Sequence, residues 1–286
     1  MRYLLTLPLA LFMVACGSSP SSPSGPSSQS SGPVTVSGTL TDTATGQPIG
    51  SFSQTVNDLP AQVTLEHPGY VTRQTWLESA APRVDLFPEA GFDLGLYRQL
   101  ARGELEGGSL LPLRVLTQAP AFYLQTAGLS AANVAALEAA ARAATPAFTG
   151  GQFQVTTWET GAEARTPRAG WISAEQTTDP AATCGLALIG ASAGRITLST
   201  LAGCGDGTHT SAPGVFVHEI GHALGFFHVA SPGAIMLPLV SRGSTLPSDR
   251  ERQHAAFAYA RLPGNTDIDS DPRRPVSAQT AVLVVD

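Results

Sequence analysis

The chain contains no lysine: its 16 basic residues are all arginines, scattered singly against 22 acidic groups, and the formal charge is −6. No basic run can track a phosphate backbone, so no nucleic-acid partner is expected. Cysteine is nearly absent too, and three are too few for a disulfide-dense scaffold. Charged residues make up only 13% of the chain, against 29 glycines and 22 prolines, which argues against a helical bundle or coiled coil. Long apolar runs are also missing. The longest, Tyr3 to Val14, is too short to span a bilayer. What is present is turn chemistry over 286 residues, enough for one good core or two modest ones.

Arg2, the apolar run, Ala15 and Cys16 have the shape of an export signal. Met13-Val14-Ala15-Cys16 resembles the lipobox of bacterial lipoproteins. That resemblance implies removal of residues 1–15, lipidation of Cys16 as the mature N-terminus, and, with Gly17 next, no retention on an inner membrane. The expected location is the cell envelope, anchored to a membrane and facing outside the cytoplasm, on the outer membrane if the cell has two. From Gly17 to Pro33 every residue except Gln29 is Ser, Pro or Gly, a composition that forms a flexible tether rather than a core.

Residues 34–92 read as a small β-sandwich. Val34 to Leu40 and Ala61 to Leu65 carry strand patterns, with turn signals at Thr45-Gly46 and Pro68-Gly69. The stretch from Val36 to Ile49, with Gly69-Tyr70, resembles the start of carboxypeptidase regulatory-like domains. Residues 93–264 read as an α+β unit with a mixed sheet under helices. Leu113 to Leu116, Phe153 to Trp158, Trp171-Ile172 and Gly194 to Ser199 are its expected strands. A helix capped by Ser130 is expected to stop at Pro146, and an amphipathic helix from Asp249 to Ala260 closes the unit. Residues 265–286 form a C-terminal tail.

Cys184 and Cys204 lie 20 residues apart in a chain read as exported, where disulfides persist. A bridge would close a loop of about 20 residues and contribute roughly 3 kcal/mol. Two separate buried thiols or zinc ligation are the alternatives, but Cys184 has no neighbouring cysteine or histidine at zinc-finger spacing.

The run His218-Glu219-Ile220-Gly221-His222-Ala223-Leu224-Gly225-Phe226-Phe227-His228 carries the chemistry. On a helix, residues 218 and 222 are one turn apart and present two imidazoles to one metal, with Glu219 beside a water on it. Gly225 can take the left-handed conformation that ends the helix and brings His228 back as third ligand. Three nitrogens and an open position describe a catalytic zinc site in which Glu219 serves as general base. The run resembles the zinc-binding consensus of the metzincin metallopeptidases. Met236, within Ser231 to Pro238, resembles their Met-turn in its matrixin form, although Leu237 follows where matrixins often carry an aromatic residue. The resemblance implies a metzincin-like fold with zinc on His218, His222 and His228, a hydrophobic floor at Met236, and protein or peptide substrates held extended in a cleft.

Weaker features are read more plainly. His209 is taken as a solvent-facing loop residue, with a second metal or the cleft wall as its alternatives, and His67 and His254 as surface or helix-end residues. Leu111, Val115 and Leu116 are candidate core, and Tyr259 a packing residue. Asp267, Asp269 and Asp271 resemble the first half of a calcium loop, so Ca2+ is a second candidate cofactor, but they lack its glycine and distal glutamate and read as a solvated acidic turn. The competing function is a surface binding or adhesion protein whose sandwich does the work.

Overall fold

The computed structural model describes residues 32–178, 184–199, 213–238, 245–276 and the backbone of 283–285. The export signal, Cys16, the tether as far as residue 31, His209 and Cys204 lie outside them. No helix among the described residues is long and apolar enough to cross a membrane.

Five strands come first: β1 (Val34–Asp42), β2 (Pro48–Val56), β3 (Ala61–Leu65), β4 (Arg73–Leu77) and β5 (Arg83–Leu86). They form a three-stranded sheet, β2-β1-β5, and a two-stranded sheet, β3-β4. Alternation decides what goes inside: β3 buries Val63 and Leu65 and exposes Gln62 and Thr64. With Val36, Leu40, Leu77, Val84 and Leu86 they make the sandwich core. Gly46 and Gly69 sit at the two expected turns with positive φ.

The second unit opens with a helix the sequence reading did not anticipate, α1 (Leu94–Arg102), capped by Asp93 and ended by left-handed Gly103. A 3-10 turn, Glu104–Glu106, follows. Next come β6 (Ala121–Gln125), α2 (Ala131–Phe148), β7 (Trp158–Gly161), β8 (Trp171–Thr177), β9 (Gly185–Leu188), β10 (Gly194–Ser199), α3 (Pro213–Ala223), α4 (Asp249–Tyr259) and β11 (Leu283–Val285). The sheet runs β11-β9-β10-β8-β6-β7. Strands β10, β8, β6 and β7 pair in parallel, and β9 runs antiparallel to β10 and β11. This is the expected α+β unit with a mixed sheet. Its core joins α2, α3 and α4 to the sheet through Leu137, Phe148, Ile172, Ile196, Ile220 and Phe257.

Several expectations need correction. Pro146 does not stop α2, which continues to Phe148. The proline removes only one donor near the helix end, while Thr149 N–H still bonds to Thr145 O and Gly151 N–H to Pro146 O. Leu113 to Leu116 is no strand: Leu113 bonds to Asn265 and Gly264, a turn that extends no ladder. Val115 is nevertheless buried, with Leu111 and Leu116 partly so. The strand expected from Phe153 begins only at Trp158. His254 is no surface residue. It is buried, its Nδ1 donates to Arg250 O, and its Nε2 accepts from Asp93 N–H. Burial lowers its pKa, which suits that neutral form.

The acidic turn is solvated only at Asp267. Asp269 and Asp271 are buried, and each of the three carboxylates faces an arginine: Asp267 pairs with Arg98, Asp269 with Arg261 and Asp271 with Arg73. Carboxylates committed to guanidinium groups leave no calcium loop. Arg73 and Arg261 also both reach Asp85 on β5, so the network ties the sandwich to the chain after α4. Burial alone would raise the Asp85 carboxyl, but the charges of Arg261 and Arg73 outweigh it and hold the pKa at about 2.

Candidate metal centre

Every residue of α3 from Gly214 to Ala223 is buried, so this helix is the middle of the unit rather than an amphipathic cover. His218 and His222 lie one turn apart on it. Each ring is fixed through Nδ1: His218 donates to Ile235 O at 2.5 Å and His222 to Phe226 O at 2.8 Å. A carbonyl oxygen only accepts, so both Nδ1 atoms carry the proton and both Nε2 atoms present lone pairs. Those two Nε2 atoms are 3.0 Å apart. Two lone pairs that close are accommodated by a shared cation.

His228 completes the set. The helix ends in a left-handed cap at Gly225, φ +108°, with Gly225 N–H bonded to His222 O and Phe226 N–H to Gly221 O, the paired bonds of a Schellman turn. A side chain at Gly225 would also strike the Arg114 carbonyl, its Cβ coming within 2.7 Å of that oxygen. The turn returns His228 beside the helix, and one nitrogen of each imidazole lies within 4.8 Å of the others. Among the described residues this is the one cluster of three or more His, Cys, Asp or Glu suited to a metal ion. The donor set, three imidazoles, fits zinc.

Glu219 follows His218 and is fully buried beside the triad. Strand β9 explains its placement: a Cβ built on Gly185 would come within 1.9 Å of Glu219 Oε1. The carboxylate thus occupies space that any side chain at residue 185 would claim. Changing Gly185→Ala should lower peptide hydrolysis roughly 10- to 100-fold by displacing that carboxylate, with zinc content unchanged. Elemental analysis beside the peptidase rate checks this, and wild-type activity would refute it.

Met236 is buried under α3, and a Cβ at Gly221 would lie 2.4 Å from its sulfur. Glycine at 221 is what lets the turn come so close. The turn is held by Glu251 on α4, whose carboxylate accepts Ile235 N–H, Met236 N–H and Ser248 N–H. Val229 N–H bonds to Met236 O, joining the turn to the loop after His228. Tyr259 donates to Leu224 O at the end of the active helix, and burial pushes its phenol well up. Sequence reading singled out neither Glu251 nor Gly185. Ser248 and Glu251 carry a capping-box signal, which marks a helix start but not a clamp on a turn 15 residues earlier.

Three imidazoles around one point, a buried carboxylate on the same helix and a methionine turn beneath, set against a mixed sheet, define a metzincin-type zinc metalloendopeptidase domain. The family model Peptidase_M10, Matrixin, matches residues 139–259, from within α2 to the end of α4. The unit that carries the triad is thus a matrixin-like protease domain preceded by a small β-sandwich. No curated protein matches the chain.

Proposed function

We propose that this zinc endopeptidase works outside the cytoplasm on proteins or peptides, held to a membrane by a lipid on Cys16. The catalytic part of the reading is carried by Glu219 lying buried beside the His218, His222 and His228 triad. Zinc bound there would acidify a water and polarise the scissile carbonyl. The residues of the chain do the rest. His218, His222 and His228 would hold the ion through one nitrogen each. Glu219 accepts a proton from the attacking water and returns it to the leaving amine. A buried site keeps bulk water from competing for that proton.

The location rests on the lipobox-like Met13 to Cys16 and the Ser/Pro/Gly tether. Export also suits a bridge between Cys184 and Cys204, the two cysteines of the chain after Cys16. The sandwich, by its likeness to regulatory-like domains, is proposed as a spacer or docking module.

The full chain purified in detergent should bind one zinc per chain and cleave a peptide library, with chelator abolishing cleavage and zinc restoring it. Expressed in a bacterial host, Cys16→Ser should move the chain out of the membrane fraction. Failure to bind zinc or to cleave would favour the surface binding module. An unmodified Cys16 in the native protein would remove the anchor and leave the peptidase.

A further inference from the structure

The three ligand rings are not held alike. His218 and His222 donate Nδ1–H to backbone carbonyls, whereas His228 Nδ1 lies 2.8 Å from the carboxylate oxygen Oε1 of Glu106. The same oxygen accepts the backbone N–H of His228 at 3.3 Å. One carboxylate oxygen therefore grips the third ligand by both of its donors. Glu106 closes the 3-10 turn that follows α1, and its N–H bonds to Gly103 O. The neighbouring bonds serve the same loop: Phe227 N–H goes to Leu100 O and Ala230 N–H to Gln99 Oε1. Gly103 leaves room for the Phe227 ring, which would lie 3.0 Å from a Cβ there. The C-terminal end of α1 and its turn thus form a cradle for residues 227–230, the loop that carries His228. This cradle lies outside residues 139–259.

We propose that Glu106 is the positioning residue of the third zinc ligand. By accepting from Nδ1 it keeps the proton on that atom and turns Nε2 of His228 toward the point shared by His218 and His222. Carboxylate partners of this kind orient a ligating imidazole and raise its basicity. His228 needs such a partner more than the other two, because it sits on a loop after the helix end. The helix backbone that sets the other two rings ends before it. The inference rests on the zinc peptidase reading and adds to it a role for the segment between the sandwich and the sheet.

The test uses the full chain with Glu106→Ala and Glu106→Gln, and reads zinc affinity by competition with a chromogenic chelator, beside the peptidase rate and the melting temperature of the zinc-free protein. Glu106→Ala should bind zinc about 10- to 100-fold more weakly, the range seen when an outer partner of a ligand is removed, while the zinc-free chain still melts as a folded protein. Glu106→Gln keeps an oxygen that can accept both N–H groups and should recover most of the affinity. Zinc binding by Glu106→Ala equal to wild type overturns the proposal, as does a Glu106→Gln chain as weak as Glu106→Ala. A wild-type chain that binds no zinc would overturn the peptidase reading instead, so the two failures are distinguishable.

Discussion

Glu219→Gln should keep one zinc per chain and lose peptide hydrolysis by about 10²-fold or more, the scale of positioned acid-base catalysis. The side chain is fully buried and lies against the backbone of Gly185, so it has little freedom. Glutamine has nearly the same shape and fits the same space, yet its amide cannot take a proton from water at neutral pH. The ligands His218, His222 and His228 are untouched, so metal content should not follow activity down. His228→Ala should behave differently and lose zinc together with activity. Metal analysis and peptidase rates on the purified variants separate the two patterns. An active Glu219→Gln enzyme would remove Glu219 from the chemistry.

Glu251→Ala should be the most destabilising change near the site. The carboxylate is buried and accepts three backbone N–H groups, those of Ile235, Met236 and Ser248. Removing it strands those donors away from water at about 1–3 kcal/mol for each buried group left unpaired, so a loss of about 3 kcal/mol or more is expected. In a domain of this size that is a fall in melting temperature on the order of 6–12 °C. Zinc should weaken as well, because the Ile235 carbonyl that orients His218 belongs to the turn being released. Glu251→Gln retains one acceptor oxygen and should fall between. Thermal melts with and without zinc decide it, and an alanine variant that melts within about 2 °C of wild type would mean that the clamp carries little.

These two residues show where sequence reading succeeds and where it stops. Glu219 was legible because its neighbours His218 and His222 sit at helical spacing and Gly225 supplies the turn that local backbone sterics demand. The same local rules located β1, β3, β8, β10, the cap of α2 and the start of α4. They failed where a segment's partner is distant: Leu113 to Leu116 has an extended pattern but bonds to a turn about 150 residues away, so it joins no sheet. Asp269 and Asp271 read as solvated because carboxylates usually are, and lie buried because Arg261 and Arg73 meet them there.

The sequence by itself determined the His218, His222 and His228 cluster, the carboxylate beside it and the α+β class, since each depends on local spacing and element order. Only the tertiary structure decided what holds those groups in place. Glu106 reaches His228 across 122 positions, Glu251 meets the turn at Met236 from 15 residues further along the chain, and Gly185 on β9 makes room for Glu219 on the helix. Local periodicity is written along the chain because neighbouring residues share one backbone geometry. A hydrogen bond between distant residues leaves no such period, and it exists only once the core has packed α1, α4 and β9 around the active helix.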